Sequence, residues 1–110
     1  MATITVSFDG SDLILSDNGH TNAGRSEQII WHPNQTGGVQ SVTSVTVKPT
    51  SPRTTAEFWS NPPDPTGVNV KGTISGNASG AWDYDITCNV GTVQNPVLKT
   101  KDPRIQVLSE

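Results

Sequence analysis

The strictest constraint in this sequence is the stretch 82–90, in which apolar and polar side chains alternate without a break. Its apolar members are Trp82, Tyr84, Ile86, Cys88 and Val90. The positions between them carry Asp83, Asp85, Thr87 and Asn89. Because successive side chains of a β-strand point to opposite faces, this period predicts a strand with one buried and one solvated face.

The same two-residue period recurs along the chain between clusters of turn residues. Predicted strands cover residues 3–8, 13–15, 27–32, 39–47, 55–59, 68–75, 82–90 and 105–107. Three-residue steps between valines predict a bulge, or a switch between sheets, near Ser44. Three segments are expected to be loops, and they are His20–Arg25, the proline-rich Asn61–Gly67, and Gly91–Lys101.

Short strands at this spacing predict an all-β fold, a two-sheet Greek-key β-sandwich of seven or eight strands, in a single domain over residues 1–110. The expected core contains Ile4, Val6, Ile29, Trp31, Val45, Val47, Val70, Ile74, Trp82, Tyr84, Ile86, Cys88, Ile105 and Val107. Cys88 is the only cysteine, so packing rather than a disulfide within the chain must hold this core together.

The C-terminal third contains the run Gly-Ala-Trp-Asp-Tyr-Asp-Ile-Thr-Cys over residues 80–88, followed by a loop and a last strand at 102–107. A penultimate strand of alternating aromatics that ends in a cysteine resembles the cupredoxin-like sandwiches. An immunoglobulin-like sandwich is the alternative. A blue-copper site in the cupredoxin family needs a histidine after the cysteine and usually a methionine, and neither follows Cys88. The resemblance therefore implies a copper-free binding or structural module.

The charge pattern bears on partners. The net charge is −3 and the seven basic residues are scattered, which opposes binding to nucleic acid or to anionic lipid. The sequence has neither a run of apolar residues long enough to span a membrane nor a signal-peptide pattern. We expect a soluble, cytoplasmic protein without a cofactor; the oligomeric state stays open.

Candidate chemistry is sparse. Asp9, Asp12 and Asp17 could supply oxygen ligands to calcium, but such residues at strand ends usually make turn hydrogen bonds. Asp83 and Asp85 point the same way and would suit a hydrolase if one were buried. The alternative is that they are solvated charges that protect a sheet edge, balanced by Lys71.

No catalytic constellation is assembled in the sequence, so we expect no enzyme activity and no catalytic residues. The expected function is a non-enzymatic binding or assembly module for protein or carbohydrate. A copper protein using Cys88 and His32 is the first alternative, and a hydrolase using the paired aspartates is the second.

The expected binding site begins at Trp59. Phe58 and Trp59 are adjacent, so in a strand their rings point to opposite faces and one of them could be exposed beside the proline-rich loop. An exposed ring there could stack on a sugar or anchor a protein. The alternative is that both rings fill the core. The candidate ligand-binding residues are Trp59, Asn61, Asp64 and Thr66, favoured over the segment His20–Arg25.

Overall fold

The computed structural model of the chain describes residues 2–48, 58–64, 69–92 and 94–108. These residues form ten β-strands. The strands are β1 Ala2–Phe8, β2 Leu13–Leu15, β3 His20–Gly24, β4 Gln28–Pro33, β5 Ser41–Lys48, β6 Trp59–Asp64, β7 Val70–Ile74, β8 Gly80–Asn89, β9 Leu98–Lys101 and β10 Arg104–Leu108.

Two mixed five-stranded sheets organise these strands, which confirms the all-β prediction. The first sheet has the order β2-β1-β4-β7-β6. The second has the order β3-β10-β8-β5, and β9 also pairs with β8. β1 runs parallel to β4, and β3 runs parallel to β10, whereas the other pairs are antiparallel. No described helix is long and apolar enough to cross a membrane.

One hydrophobic cluster contains residues from both sheets. Every residue predicted for the core is buried, except that Val45 is half-buried at its margin. Apolar and polar residues therefore alternate along β8 for the predicted reason. Its aromatic and aliphatic side chains form one buried face that packs against the other sheet. Trp31 of β4 and Tyr84 of β8 make this contact directly, with ring centroids 5.6 Å apart and the indole nitrogen donating to the phenol oxygen at 3.1 Å.

The irregularity predicted near Ser44 is confirmed, and the structure shows a tight turn between β2 and β3. The register between β5 and β8 shifts between Val42 and Ser44, where a bulge was expected. Asp17 to His20 form a tight turn in which Asn18 and Gly19 have positive φ values of 59° and 82° and the His20 nitrogen donates to the Asp17 carbonyl at 3.2 Å. Two consecutive residues with left-handed backbone conformation define a type I′ turn, for which Asn-Gly is the favoured sequence.

The prediction of a loop over His20–Arg25 is wrong. β3 occupies most of it and pairs in parallel with β10 from Arg104 to Leu108. Thr21 and Ala23 are its buried side chains, and both are small. The strand is thus specified by a partner far away in the chain rather than by a local apolar pattern.

The prediction of a loop over Asn61–Gly67 is wrong for its first part. β6 extends to Asp64 and includes Pro62 and Pro63. It lies at the edge of the first sheet and pairs with β7 through two register shifts. An edge position tolerates proline because the missing N–H need not pair. Residues 65–68, and the first part of the strand predicted at 55–59, lie outside the described residues.

The segment 91–101 also contains an unexpected strand. β9 pairs with β8 at Lys101 and Ile86, and β10 continues that register with Arg104 opposite Asp83. The Tyr84 nitrogen donates to the Pro103 carbonyl at 3.0 Å between them. β9 and β10 are therefore two halves of one interrupted strand. With β3 and β9 added, the strand count exceeds the predicted seven or eight.

Candidate functional site

The candidate site is a shallow depression between β5 and β6, here called the β5–β6 depression. β5 is the last described strand of the second sheet and β6 the last of the first, so the two edges flank one side of the shared core. The depression has a volume of about 200 Å³. Its lining residues are Val45, Thr46, Val47, Trp59, Pro62 and Pro63.

Gly72 on β7 makes room for one wall of this depression. A Cβ atom at Gly72 would lie 2.9 Å from Trp59, closer than real Cβ atoms approach, and 3.0 Å from the Pro63 ring, which is an unusually tight contact. Glycine within a strand often marks such a close approach. Gly72 is a residue that the sequence reasoning missed as part of the site, although the glycine that interrupts the β7 pattern was the available signal.

Trp59 forms the floor of the depression rather than a projecting ring. Its side chain is 8% exposed, and its ring packs edge-on against Trp31 at 6.1 Å and against Phe58 at 4.5 Å between centroids. Phe58 is fully buried. Of the two alternatives that the sequence left open, the structure therefore confirms that both rings fill the core, and neither ring stands exposed for stacking. The reason is that residues from both sheets close around the start of β6.

Of the other predicted ligand-binding residues, the two that the structure describes do not line the depression. Asn61 and Asp64 are exposed and face Thr73 and Lys71 of β7 in the sheet register. Thr66 lies outside the described residues. Trp59 is therefore the one predicted binding residue in the described lining of the depression, whereas the second wall comes from Val45 to Val47 of β5, which no local pattern connects with it.

The side chains that line the β5–β6 depression are mostly apolar. Its described lining consists of aliphatic side chains, proline rings and an indole, and Thr46 supplies the one hydroxyl. None of these lining side chains ionises near neutral pH or is a usual metal ligand. The arrangement suits an apolar group of a partner and offers no general acid or base.

A second depression of about 210 Å³ lies at the opposite edge of the first sheet. It is lined by Leu13, Ile14, Leu15, Asn18, Gly19 and Lys101. Ile14 is 47% exposed there. This depression coincides with the turn between β2 and β3 rather than with the predicted site.

The residues of the copper alternative do not come together. Cys88 is fully buried on the core face of β8, and burial raises the pKa of its thiol to about 12, so the thiol stays protonated at neutral pH. His32 is exposed and follows the buried Trp31 on β4, so it lies on the outer face of the first sheet. Its Nδ1 atom lies 2.5 Å from the Asn69 side-chain oxygen. Within the described residues, no three potential metal ligands cluster.

The paired aspartates form surface ion pairs. Arg104 Nε lies 2.9 Å from Asp83, and Lys48 Nζ lies 3.2 Å from Asp85 and 2.6 Å from Asp102. The hydrogen bond to Asp102 is the main cause that raises the pKa of Lys48. The Asp83 and Asp85 side chains are 49% and 41% exposed, so neither has the burial that the hydrolase alternative requires.

The expected partner of these aspartates was also wrong. Lys71 belongs to β7 of the first sheet, whereas Asp83 and Asp85 belong to β8 of the second. Lysine and arginine from the flanking strands β5 and β10 balance them instead.

The N-terminal aspartates make turn hydrogen bonds. One oxygen of Asp9 accepts the N–H groups of Ser11 and Asp12, each at 2.8 Å, and these bonds lower the pKa of Asp9. Asp17 accepts the Gly19 N–H at 2.8 Å with one oxygen and the Thr21 hydroxyl with the other. The turn interpretation therefore accounts for Asp9 and Asp17 without a cation.

Comparison with known proteins adds no family to this description. The chain matches no protein-family model, and no curated protein matches it.

Proposed function

We propose that this chain is a non-enzymatic binding module that takes an apolar group of a protein partner into the β5–β6 depression. The observation that carries the proposal is the position of this depression. It opens where the edge strands of the two sheets meet, and it is walled by the Val45–Val47 segment, Trp59 and two prolines. At many protein interfaces, a few residues that are buried in well-packed, desolvated pockets carry most of the binding energy.

A protein partner is favoured over a carbohydrate by the placement of the aromatic rings. All six aromatic residues lie in the described part of the chain, and none is exposed: Phe8 is half-buried and the other five are buried. Sugar recognition by stacking requires an accessible ring face. The depression offers aliphatic and proline surface instead.

For the scaffold, we propose a Greek-key β-sandwich of the cupredoxin-like type without copper. The support is the order of elements at the C-terminal end, where β8 carries the alternating aromatics, reaches Cys88, and is followed by a loop and by β9 and β10. The outward position of His32 and the buried, protonated thiol of Cys88 favour a copper-free module.

The test combines selection of ligands with a matched pair of variants. Random peptides displayed on phage are selected on the immobilised protein, and a panel of soluble oligosaccharides is screened in parallel. Selected peptides are then titrated by NMR against the parent chain and against Pro62→Arg and Pro96→Arg. Pro62 lines the depression, whereas Pro96 is an exposed proline outside it.

We expect peptides with apolar side chains to shift the amide signals of residues 45–47 and the indole signal of Trp59. Pro62→Arg should weaken binding about tenfold or more, because one desolvated apolar contact is worth roughly 1–3 kcal/mol, and Pro96→Arg should leave binding unchanged. Equal affinity of both variants, or binding by oligosaccharides alone, would contradict the proposal.

A further inference from the structure

We propose that Asn18 is a site of spontaneous deamidation and that the Asp17 carboxylate holds the reaction back in the folded protein. Asn18–Gly19 is the one Asn-Gly pair in the sequence. Glycine has no side chain to shield its backbone nitrogen, so this dipeptide is the most reactive of its kind in an unfolded chain. The reaction is separate from the binding function proposed above and involves none of the residues of the β5–β6 depression.

The chemistry takes place between neighbouring groups of the chain. The Gly19 nitrogen loses its proton and attacks the Asn18 side-chain carbonyl carbon, a new carbon–nitrogen bond closes a five-membered succinimide, and the side-chain amide leaves as ammonia. Water then opens the ring at one of its two carbonyls and gives aspartate or isoaspartate. The reaction needs a Gly19 nitrogen that can lose its proton and move towards the side chain.

The structure restrains that nitrogen. It donates to one oxygen of Asp17 at 2.8 Å, and a negative carboxylate at this distance disfavours a negative charge on the nitrogen. The Gly19 carbonyl accepts the Arg104 N–H at 2.8 Å, and the Asn18 nitrogen donates to the Leu15 carbonyl at 2.9 Å. The Asn18–Gly19 unit is therefore held at both ends, while the Asn18 side chain itself is exposed to water.

Asp17 is itself fixed in place. Its second oxygen accepts the Thr21 hydroxyl from the start of β3. This arrangement separates two effects that can be tested apart. Loss of the carboxylate frees the Gly19 nitrogen, whereas loss of the Thr21 hydroxyl loosens the turn but leaves the Gly19 bond in place.

Deamidation of Asn18 would alter the connection between the two sheets. The type I′ turn carries the chain from β2 in the first sheet to β3 in the second. An isoaspartate adds one atom to the main chain at the tightest point of that crossing. It also adds a negative charge to the depression that Asn18 shares with Ile14 and Lys101.

The experiment follows deamidation at Asn18 in folded protein by peptide mapping with mass spectrometry. The parent chain is compared with Asp17→Ala, Asp17→Ser and Thr21→Val, each confirmed as folded by circular dichroism. We expect Asp17→Ala to react roughly tenfold faster, the factor that corresponds to the loss of one hydrogen bond to a charged group. Asp17→Ser keeps an uncharged acceptor and should react at an intermediate rate, and Thr21→Val should react like the parent chain.

Two results would overturn the proposal. One is a folded Asp17→Ala or Asp17→Ser variant that deamidates no faster than the parent chain. The other is a Thr21→Val variant that accelerates as much as Asp17→Ala, because general loosening of the turn rather than the carboxylate would then control the rate. If Asp17→Ala fails to fold, Asp17→Ser is compared with Thr21→Val instead. The proposal then requires that Asp17→Ser deamidates faster than Thr21→Val.

Discussion

Trp31 and Tyr84 hydrogen-bond to each other inside the core, where neither the indole N–H nor the phenol can turn to water. Their edge-on ring contact adds to the bond across the two sheets. Burial also raises the pKa of Tyr84, so the phenol stays neutral across the physiological range. Between Trp31 and Tyr84, the core is therefore held by a hydrogen bond as well as by apolar packing.

Replacement of Tyr84 by phenylalanine tests that contact. The variant keeps the ring but leaves the Trp31 N–H unpaired in the core, and we expect it to lose about 1–3 kcal/mol of the free energy of unfolding, measured by urea denaturation. Trp31→Phe and the double variant complete the cycle, and the double variant should cost less than the sum of the single ones. A Tyr84→Phe variant as stable as the parent chain would show that the bond contributes nothing.

Cys88 should be chemically silent in the folded protein. Burial raises the pKa of its thiol from 9.0 to about 12, and the thiolate is the reactive form. We expect almost no reaction with a thiol reagent such as DTNB under mildly alkaline native conditions, and rapid reaction once urea unfolds the chain. Fast labelling of the native protein would contradict the buried position of Cys88.

The same pKa shift predicts how stability changes with pH. Below about pH 9 the thiol is protonated in both states, so its contribution is fully present. As the pH rises from 9 towards 12, the unfolded state ionises first and the free energy of unfolding falls. Cys88→Ser should show a shallower fall over that window in denaturation series at increasing pH. If the free energy of unfolding falls equally steeply with pH in the parent chain and in Cys88→Ser, Cys88 is excluded as a cause of the alkaline instability.

At the scale of elements, β9 is an edge strand that carries lysines on its inner face. In the register, Lys99 lies opposite Cys88 and Lys101 opposite Ile86, and residues directly opposite in an antiparallel pair share a face. Lys99 and Lys101 therefore lie on the core side of the second sheet, yet both are exposed. Inward-pointing charges on an edge strand discourage another strand from adding to it.

Removal of these charges should expose the edge. We expect Lys99→Thr combined with Lys101→Thr to shift the protein towards larger species as concentration rises, measured by sedimentation velocity. The control is Lys99→Arg combined with Lys101→Arg, which keeps both charges and should sediment like the parent chain. Unchanged sedimentation of the threonine variant would mean that another feature protects the edge.

The elements differ in how far the sequence could predict them. β8 was predictable because its alternation is strict and its aromatics need a second layer. β3, with the sequence His-Thr-Asn-Ala-Gly, has no such pattern, and its identity as a strand comes from its pairing with β10. β9 was hidden for a similar reason, because all four of its side chains are exposed and only the continued register with β8 defines it.

The candidate site was predictable on one side only. The predicted site and the depression share Trp59, because an aromatic residue next to rigid prolines is visible in the local sequence. The burial of the Trp59 ring and its contact with Trp31 depend on how the two sheets pack together. The same packing brings Val45 and Pro63 to opposite walls of one depression. These are tertiary distances, which two-residue periodicity does not encode.

The whole molecule has one core to which both sheets contribute, and this predicts cooperative unfolding. Trp31 and Trp59 belong to the first sheet, whereas Trp82 and Tyr84 belong to the second. We therefore expect tryptophan fluorescence and far-UV circular dichroism to report the same midpoint and the same slope in urea. Two separate transitions would mean that the sheets unfold independently and that their shared core is weak.

The parallel pairing of β3 with β10 joins segments that lie more than eighty residues apart in the chain. During synthesis on the ribosome, β3 leaves the exit tunnel more than eighty residues ahead of β10 and waits for this partner while the intervening residues are translated. Its small and polar side chains suit that interval, because a nascent segment of this composition gives chaperones and neighbouring chains little to capture. The second sheet can close only after residues 104–108 have emerged, so the pairing of β3 is timed by the synthesis of β10 rather than by its own.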